Sequence, residues 1–384
     1  MISSLGAHKQ ELSSGSWVSS GYVLQWQQSY GSNPGFGARY EGPQPIGDAD
    51  NDGKNELIIG GRDQRLRIMK WNDAVGTYDE VETIFCPFYP FYQMDPGGFA
   101  IGDVTNDGTN EIAATWGTAV YRYILGNYRF LGWNPWIFRH GGGSADCIIG
   151  DITNDGKNEL IVTGGGFHGQ VPEVVVFRWI GFRLFKIAVW DDPGVDGYVY
   201  MPGLGDIDGD GENELAVASA NKLVVLDWNK ATKQFDATIV KQYMGQNGGP
   251  FGCVCKDADS DGNNEILLSF YAPRISIFKW NGTAYHQQFD LQWPGGEPVI
   301  EGIDIGDTDS DGFNEVCAGA GVTHILQWNG ETYVEEAVLP TWGWIAVLNI
   351  GDCDNDGNNE ISIGNVAIDA GQEFMQWVYK FSSG

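Results

Sequence analysis

The sequence predicts an all-β fold, a seven-bladed β-propeller whose blades are four-stranded antiparallel sheets. Three observations lead to this fold class. A nine-residue acidic string recurs seven times, with its starts 45 to 55 residues apart. Short apolar runs bounded by turn residues flank the copies, and no segment keeps a helical period. A β-rich unit of about 50 residues repeated in this way is typical of propellers.

The string is nearly invariant along the chain. Gly stands at its sixth position in every copy, as a sharp turn requires. The copies read DADNDGKNE from Asp48, DVTNDGTNE from Asp103, DITNDGKNE from Asp151, DIDGDGENE from Asp206, DADSDGNNE from Asp257, DTDSDGFNE from Asp307 and DCDNDGNNE from Asp352.

The flanking sequence defines the four strands of one unit. A short apolar run, usually closed by Gly as in Ile46-Gly47, precedes the string and predicts the inner strand. A second apolar run follows the string, so the string is the hairpin loop between strands one and two. A third, alternating run ends on an aromatic such as Trp71 or Trp280, and a turn then leads to a fourth strand.

The seventh unit lacks a fourth strand, because no further run follows residues 373–381. Residues 22–26 (YVLQW) precede the first string much as fourth strands precede the others. We therefore expect residues 21–28 to supply the outer strand of the last blade and to leave no open sheet edge. The expected organisation is an N-terminal extension over residues 1–20 and a single propeller over residues 21–384.

Composition limits the partners and the compartment. With 22 basic and 51 acidic residues the formal net charge is −29, which argues against binding nucleic acid or an anionic membrane surface. No run is apolar enough for membrane insertion or for a signal-peptide core, so the chain is expected to be cytosolic or to begin after processing. The six cysteines, mostly within apolar runs, are expected to be small buried hydrophobes.

The strings carry the chemistry of a metal site. Carboxylates at positions 1, 3, 5 and 9 of a tight loop, with the carbonyl of position 7, form a hard oxygen set that suits Ca²⁺. The loop is not an EF-hand, since position 12 is apolar. Thr105 and Thr153 replace Asp at position 3, so their loops are expected to bind calcium more weakly. Up to seven Ca²⁺ are expected, held by Asp48, Asp50, Asp52, Lys54, Glu56, Asp103, Thr105, Asp107, Thr109, Glu111, Asp151, Thr153, Asp155, Lys157, Glu159, Asp206, Asp208, Asp210, Glu212, Glu214, Asp257, Asp259, Asp261, Asn263, Glu265, Asp307, Asp309, Asp311, Phe313, Glu315, Asp352, Asp354, Asp356, Asn358 and Glu360.

Seven D-x-D-x-D-G-x-x-[DE]-like loops, one per blade, resemble the FG-GAP/VCBS repeat family, over residues of about 21 to 381. That family includes the N-terminal propeller of integrin α subunits, certain fungal lectins and some polysaccharide lyases. The resemblance implies calcium in the loops, ligands at the opposite rim, and an extracellular or cell-surface location. Glu at position 9 instead of the usual Asp, and the lack of integrin-like leg domains, mean that an integrin-like role does not transfer.

The connectors between blades are rich in aromatic residues, which suit sugar stacking or protein recognition. They are predicted to lie at the rim opposite the strings and to bind a protein, a glycan or further copies of this chain. The alternative is that they fill the gaps between wedge-shaped blades. The candidate ligand residues are Tyr89, Tyr92, Trp133, Trp136, Trp190, Tyr200, Trp293, Trp342 and Trp344.

Catalysis has little support in the sequence, which contains neither H-E-x-x-H nor G-x-S-x-G. Asp191, Asp192 and Asp196 could pair as carboxylates, although an exposed acidic turn is the preferred interpretation. Arg139, His140 and His168 could serve a lyase-like site. The sequence thus favours a non-catalytic, calcium-binding adhesion, interaction or self-assembling structural module. The alternatives are a carbohydrate-active enzyme or lectin, and an intracellular scaffold.

Overall fold

The computed structural model describes residues 21–32, 44–60, 65–85, 98–115, 118–134, 143–166, 170–193, 195, 197–243, 248–295, 299–366 and 371–382. These residues form 29 strands in seven antiparallel sheets, and none of them is helical. Each sheet is one blade, and the seven blades follow one another along the chain, as the sequence predicts. No helix in the described ranges is long and apolar enough to cross a membrane.

The first three blades each have their four main strands in chain order. The first comprises β2 (Ile46–Gly47), β3 (Glu56–Gly60), β4 (Arg65–Asn72) and β5 (Thr77–Phe85). The second comprises β6 (Phe99–Gly102), β7 (Glu111–Ala114), β8 (Ala119–Ile124) and β9 (Asn127–Trp133). The third comprises β10 (Gly143–Gly150), β11 (Glu159–Gly166), β12 (Glu173–Ile180) and β13 (Arg183–Asp191), and a short strand β14 (Gly197–Tyr198) also pairs with β11.

The next three blades repeat this order. The fourth comprises β15 (Gly203–Gly205), β16 (Glu214–Ser219), β17 (Lys222–Asn229) and β18 (Gln234–Gln242). The fifth comprises β19 (Pro250–Lys256), β20 (Glu265–Phe270), β21 (Ala272–Trp280) and β22 (Tyr285–Gln292). The sixth comprises β23 (Ile303–Gly306), β24 (Glu315–Gly319), β25 (Thr323–Trp328) and β26 (Tyr333–Leu339).

The seventh blade joins the two ends of the chain. It comprises β27 (Trp344–Gly351), β28 (Glu360–Val366), β29 (Glu373–Phe381) and the first strand of the chain, β1 (Tyr22–Ser32). Tyr22 pairs with Phe381 in antiparallel register, and their rings meet edge to face at 5.1 Å. Gly21 has φ +92° and a Cβ there would lie 2.3 Å from the Phe381 ring, so this position requires glycine. The expected closure by an N-terminal strand is confirmed.

The apolar cores lie between consecutive blades rather than within one sheet. Ile58 and Ile68 of the first blade, for example, share a cluster with Phe99 and Tyr121 of the second. The ring of cores is closed, because Leu57 of the first blade belongs to a cluster that includes residues of the seventh. Each fully buried aliphatic side chain contributes about 1.5–3 kcal/mol, so blade-to-blade packing is the main source of stability.

The inner strands of all seven blades surround a central cavity of about 280 Å³. Its wall is largely apolar, with Ile101, Ile149 and Leu204 among its residues. Lys256 is an exception, and its Nζ lies 2.5 Å from Oδ1 of Asp304 in the next blade. Five cysteines, in or beside these strands, are free and buried as expected, namely Cys147, Cys253, Cys255, Cys317 and Cys353; Cys86 lies outside the described residues.

The alternation of antiparallel strands places every string at one end of the blades. We call this end the string rim; it also carries the turns between third and fourth strands. The opposite end, the connector rim, carries the turns between second and third strands and the connections from one blade to the next. The two kinds of candidate site in the sequence therefore lie on opposite rims.

Candidate metal centres on the string rim

Each string folds into a tight loop around its first aspartate. The glycine at position 6 has a positive φ in all seven loops, for example 86° at Gly53. In every loop the N–H of this glycine donates to the carboxylate of position 1, as Gly53 does to Asp48 at 3.0 Å. These bonds bend the chain so that the side chains of positions 1, 3 and 5 can face one another.

The glutamate at position 9 is the buried floor of the loop. It begins the second strand and accepts hydrogen bonds from backbone N–H groups of position 2 or 3, as Glu56 does from Ala49 at 2.8 Å. Burial raises the pKa of Glu214 to about 8, and raises that of Glu56, Glu265, Glu315 and Glu360 to about 7. A bound cation would favour the charged form of these carboxylates.

Three loops already contain a lysine ammonium group. The lysine is the residue just before the aromatic at or next to the end of the third strand. In the first blade Nζ of Lys70 lies 2.7 Å from both Asp50 and Asp52 and 3.0 Å from Glu56. Lys279 and Lys380 each contact the same three positions of their own loops in the fifth and seventh blades.

Two further loops contain an arginine at the same strand position, and these are the loops with Thr at position 3. Arg122 pairs with Asp107 at 2.8 Å and with Glu111, and its Nη2 donates to Thr105 Oγ1 at 2.5 Å. Arg178 makes the corresponding three contacts in the third blade, with Asp155, Glu159 and Thr153. The hydroxyl groups of Thr105 and Thr153 therefore accept hydrogen bonds from arginine in this structure.

The fourth and sixth loops differ from the other five. The strand position before the aromatic is Asp227 in the fourth blade and Gln327 in the sixth. In each of these loops, carboxylate oxygens of positions 1, 3 and 5 lie within 4.8 Å of one another. They belong to Asp206, Asp208 and Asp210 in the fourth loop and to Asp307, Asp309 and Asp311 in the sixth.

The donor chemistry fits Ca²⁺ in these two loops. Burial raises the pKa of Asp208 and of Asp227, and the neighbouring carboxylate of Asp210 raises both further. Glu214 is 3% exposed, and its Oε2 accepts from Ile207 N at 2.9 Å. No hydrogen-bond donor or cation among the described residues reaches its other oxygen. In the other five loops a cation of the chain lies against the predicted ligands, although carboxylate oxygens also converge within 4.8 Å in the first, third and fifth loops.

The residues at position 7 are expected to bind through their carbonyl groups, and their side chains vary accordingly. In most loops their N–H donates to the carboxylate of position 5, as Lys54 does to Asp52 at 2.9 Å and Phe313 to Asp311 at 2.8 Å. Glu212 makes the same bond to Asp210 at 2.8 Å, and its carboxylate also pairs with Lys230. The backbone therefore follows the same turn despite the change in side chain.

The asparagine at position 8 joins each loop to the preceding blade, a role that the sequence interpretation missed. In all seven strings its Nδ2 donates to the backbone carbonyl of position 1 in the previous string, at 2.7–3.1 Å. Asn55 bonds to Asp352 O and so closes the circle between the first and seventh blades. The signal was present as an Asn invariant within the repeat. We call these hydrogen bonds from the position-8 asparagines the Asn latches. Together they form a continuous ring on the string rim.

The candidate aromatic residues of the connector rim divide by exposure. Trp133, 38% exposed, and Trp342, 42% exposed, present their rings to solvent. Tyr200 stacks on Phe251 at 4.6 Å and Trp293 stacks on His324 at 4.6 Å, contacts that fill space between blades. Trp190 and Trp344 are half-buried, whereas Tyr89, Tyr92 and Trp136 lie outside the described residues.

The structure corrects the expectation of an exposed acidic turn near Asp192. This carboxylate is buried instead of exposed, because it accepts from Ser219 Oγ at 2.7 Å and pairs with Lys222 at 2.6 Å in the next blade. Asp191 is half-buried at the end of β13, and Asp196 is not described. The residues of the lyase-like alternative, Arg139, His140 and His168, also lie outside the described ranges.

Comparison with known proteins agrees with this architecture. An FG-GAP-like repeat is matched over residues 206–268, from the fourth string to the strand after the fifth. Two crystal structures of BBS1N in complex with ARL6DN are similar in fold. The one soaked with mercury has a TM-score of 0.60 and 14% identity, and the one soaked with lead has 0.58 and 15%. Each alignment covers 94% of this chain and 98% of the other. No curated protein matches the sequence. The chain is therefore a seven-bladed β-propeller that contains an FG-GAP-like repeat.

Proposed function

We propose that the protein is a non-catalytic, calcium-binding propeller that serves as an interaction or structural module outside the cell or at its surface. The observation that carries the proposal is the carboxylate triad of Asp206, Asp208 and Asp210, whose oxygens converge within 4.8 Å in a loop of the string rim. Hard oxygens at that separation are the ligands that Ca²⁺ prefers. Bound calcium would fix the loop and, through the Asn latches, the neighbouring blades.

Calcium supply favours the extracellular location. Extracellular modules bind Ca²⁺ with a Kd of about 10⁻⁴–10⁻³ M, so their sites fill at extracellular concentrations and stay largely empty in the cytosol. A string loop whose residues at positions 1, 3 and 5 remain partly or fully exposed is of this weaker kind. A protein that needed such sites to hold its rim together would be poorly stabilised inside a cell.

The partner is proposed to bind at the connector rim, on the side away from the strings. The exposed rings of Trp133 and Trp342 support this surface, because aromatic side chains carry much of the binding energy in protein and sugar recognition. The similar propeller BBS1N is seen in complex with another protein, ARL6DN, which is consistent with an interaction module. A glycan or a second copy of this chain would use the same aromatic chemistry.

Binding to an array of acidic and neutral glycans, and self-association by analytical ultracentrifugation, test the proposal. The Trp133→Ala/Trp342→Ala double variant is expected to lose whichever interaction the wild-type chain shows in calcium. Phe182→Ala is the matched control, because Phe182 is an exposed aromatic in a turn on the string rim. Equal interaction by all three proteins would contradict the rim assignment. Release of unsaturated product from an acidic polysaccharide would contradict the non-catalytic assignment.

A further inference from the structure

We infer that the side chains of Lys70, Arg122, Arg178, Lys279 and Lys380 replace the metal ion in their loops, so that calcium is confined to the fourth and sixth loops. The inference deepens the proposed function and rests on it for the two remaining sites. It departs from the expectation of one calcium per blade. It assigns a role to one strand position in each blade, the residue before the terminal aromatic.

The lysine contacts are those that a metal ion would make. Nζ of Lys279 lies 2.5 Å from Asp259, 2.7 Å from Asp261 and 2.9 Å from Glu265, the residues at positions 3, 5 and 9 of its loop. Glu265 is fully buried and Asp259 nearly so, so both depend on a nearby positive charge. An ion at the centre of this loop would have to displace the ammonium group and leave it beside a divalent cation.

The arginine loops show that the strand position and the string are matched to each other. Arginine occurs where position 3 is Thr, and lysine occurs where position 3 is Asp. The planar guanidinium of Arg122 reaches Asp107 and Glu111, and its Nη2 also contacts the Thr105 hydroxyl. A hydroxyl suits this third contact, since two carboxylates already balance the guanidinium. The same pairing of Thr with Arg in two blades supports the view that the residue at position 3 and the strand residue vary together.

The fourth loop has a carboxylate at the strand position where five other loops have a cation. Asp227 takes the position of the cation, because it follows Leu226, which pairs with Leu215, and so lies beside Glu214. Glu214, buried on the floor of the loop, has an oxygen that no donor or cation of the described residues reaches. Glu214 thus differs from Glu56, Glu265 and Glu360, whose Oε1 atoms each lie within 3.3 Å of a lysine Nζ. With Asp206, Asp208 and Asp210 it completes a set of four acidic side chains.

The sixth loop has a neutral residue at this position. Nε2 of Gln327 donates to Asp311 at 3.1 Å and to Glu315 at 3.2 Å. Rotation of the amide by half a turn would present its carbonyl oxygen to an ion, and an amide oxygen is an acceptable calcium ligand. Neither a lysine nor an arginine contacts the described residues of this loop.

Isothermal titration of the chelator-treated, full-length protein with calcium chloride tests the inference. The wild-type chain is expected to bind two equivalents. Asp227→Lys and Gln327→Lys are each expected to bind one, whereas Lys279→Gln is expected to bind three. More than two equivalents in the wild type would overturn the inference and leave the calcium proposal intact. A single equivalent that Asp227→Lys abolishes would overturn the assignment of the sixth loop.

A melting experiment in chelator tests the internal cations even if no calcium binds. Lys279→Gln is expected to melt below the wild type, because it leaves buried carboxylates without a counter-charge, and calcium is expected to restore its melting temperature. Lys233→Gln is the matched control, an exposed turn lysine in the fourth blade. Equal melting of the two variants would overturn the role of the lysine. No calcium binding by any of the proteins would overturn the calcium proposal and the two assigned loops.

Discussion

Asp227 holds in the fourth blade the strand position that Lys279 holds in the fifth. Each is the residue before the aromatic at or next to the end of the third strand, Trp228 or Trp280. The antiparallel registers pair Leu215 with Leu226 and Ile266 with Phe278, so the next residue of each strand pair brings Asp227 beside Glu214 and Lys279 beside Glu265. We therefore expect this one side chain to decide whether the acidic loop is neutralised by the chain or binds an external cation.

Removal of calcium should lower the melting temperature by a modest amount. At about tenfold excess over Kd each site adds RT ln 11, about 1.4 kcal/mol, so two sites add about 3 kcal/mol. With an unfolding entropy of about 2.1 cal/mol/K per residue, the expected shift for this chain is about 4 °C. Seven occupied sites would give about 12 °C by the same relation. Differential scanning calorimetry with and without chelator distinguishes these values, and an unchanged melting temperature would rule out structural calcium.

The interblade latches give a second prediction. Asn264→Ala removes the bond from Nδ2 to Asp206 O, at 3.0 Å across two blades, and should cost about 1–2 kcal/mol of unfolding free energy. Asn263→Ala is the control in the adjacent residue, whose Nδ2 bonds only to Asp261 within the same loop. Chemical denaturation in chelator compares the two without a metal contribution. Equal unfolding free energies for the two variants would show that the latch is not stabilising.

Closure of the ring gives a third prediction. Deletion through residue 32 removes β1, exposes the edge of β29 and uncovers Phe381, which packs on Tyr22. We expect this deletion to lower the melting temperature strongly and to promote association through the open edge. Deletion of residues 1–20 alone is the control and should leave both properties close to those of the full chain. Thermal unfolding and light scattering measure the two effects. A normal melting temperature without β1 would contradict the closure.

A fourth prediction concerns pH and a carboxyl group outside the strings. Asp146 in β10 is 2% exposed, and burial raises its pKa to about 8 even though the N–H of Cys147 donates to it at 2.7 Å. The folded chain therefore retains a proton that the unfolded chain loses at a pKa near 3.8. Its contribution to stability is present below pH 4 and is lost as the pH rises towards 8.

Asp146→Asn removes this linkage. The free energy of unfolding of the wild type should fall relative to the variant as the pH rises from about 4 to 8, at up to about 1.4 kcal/mol per pH unit. Denaturation of both proteins across this range, in chelator, measures the difference. The acids of the strings titrate equally in both proteins, so they cancel in the comparison. A difference that is constant with pH would show that Asp146 is ionised in the folded protein.

The sequence was sufficient for the propeller and for the loops, because the string repeats with its turn glycine and its acidic positions. The sequence interpretation did not predict that cations of the chain neutralise the carboxylates of five loops. Lys70 or Lys380 in an alternating strand looks like a solvent-facing residue, and only the strand register shows that it faces the buried glutamate. The pairing of Thr153 with Arg178 has a signal in the sequence, since Arg stands before the third-strand aromatic only in the two repeats with Thr at position 3.

The connector rim was less predictable for a similar reason. Aromatic residues serve both to fill the wedge between blades and to bind ligands, and the sequence does not separate these uses. Tyr200 and Trp293 have ring partners in the neighbouring blade, whereas Trp342 keeps an exposed ring although it contacts Trp377 edge to face at 5.7 Å. Exposure depends on where the next blade lies, and that position is set by packing distant in sequence.

A crystal structure of the protein grown in calcium, with anomalous difference maps, tests the central claim most directly. We predict metal peaks in the fourth loop, at Asp206 to Glu214, and in the sixth loop, at Asp307 to Glu315. The ammonium and guanidinium groups of Lys70, Arg122, Arg178, Lys279 and Lys380 should remain against their carboxylates in the other five. A metal peak in the first, fifth or seventh loop, with its lysine turned out to solvent, would contradict the account.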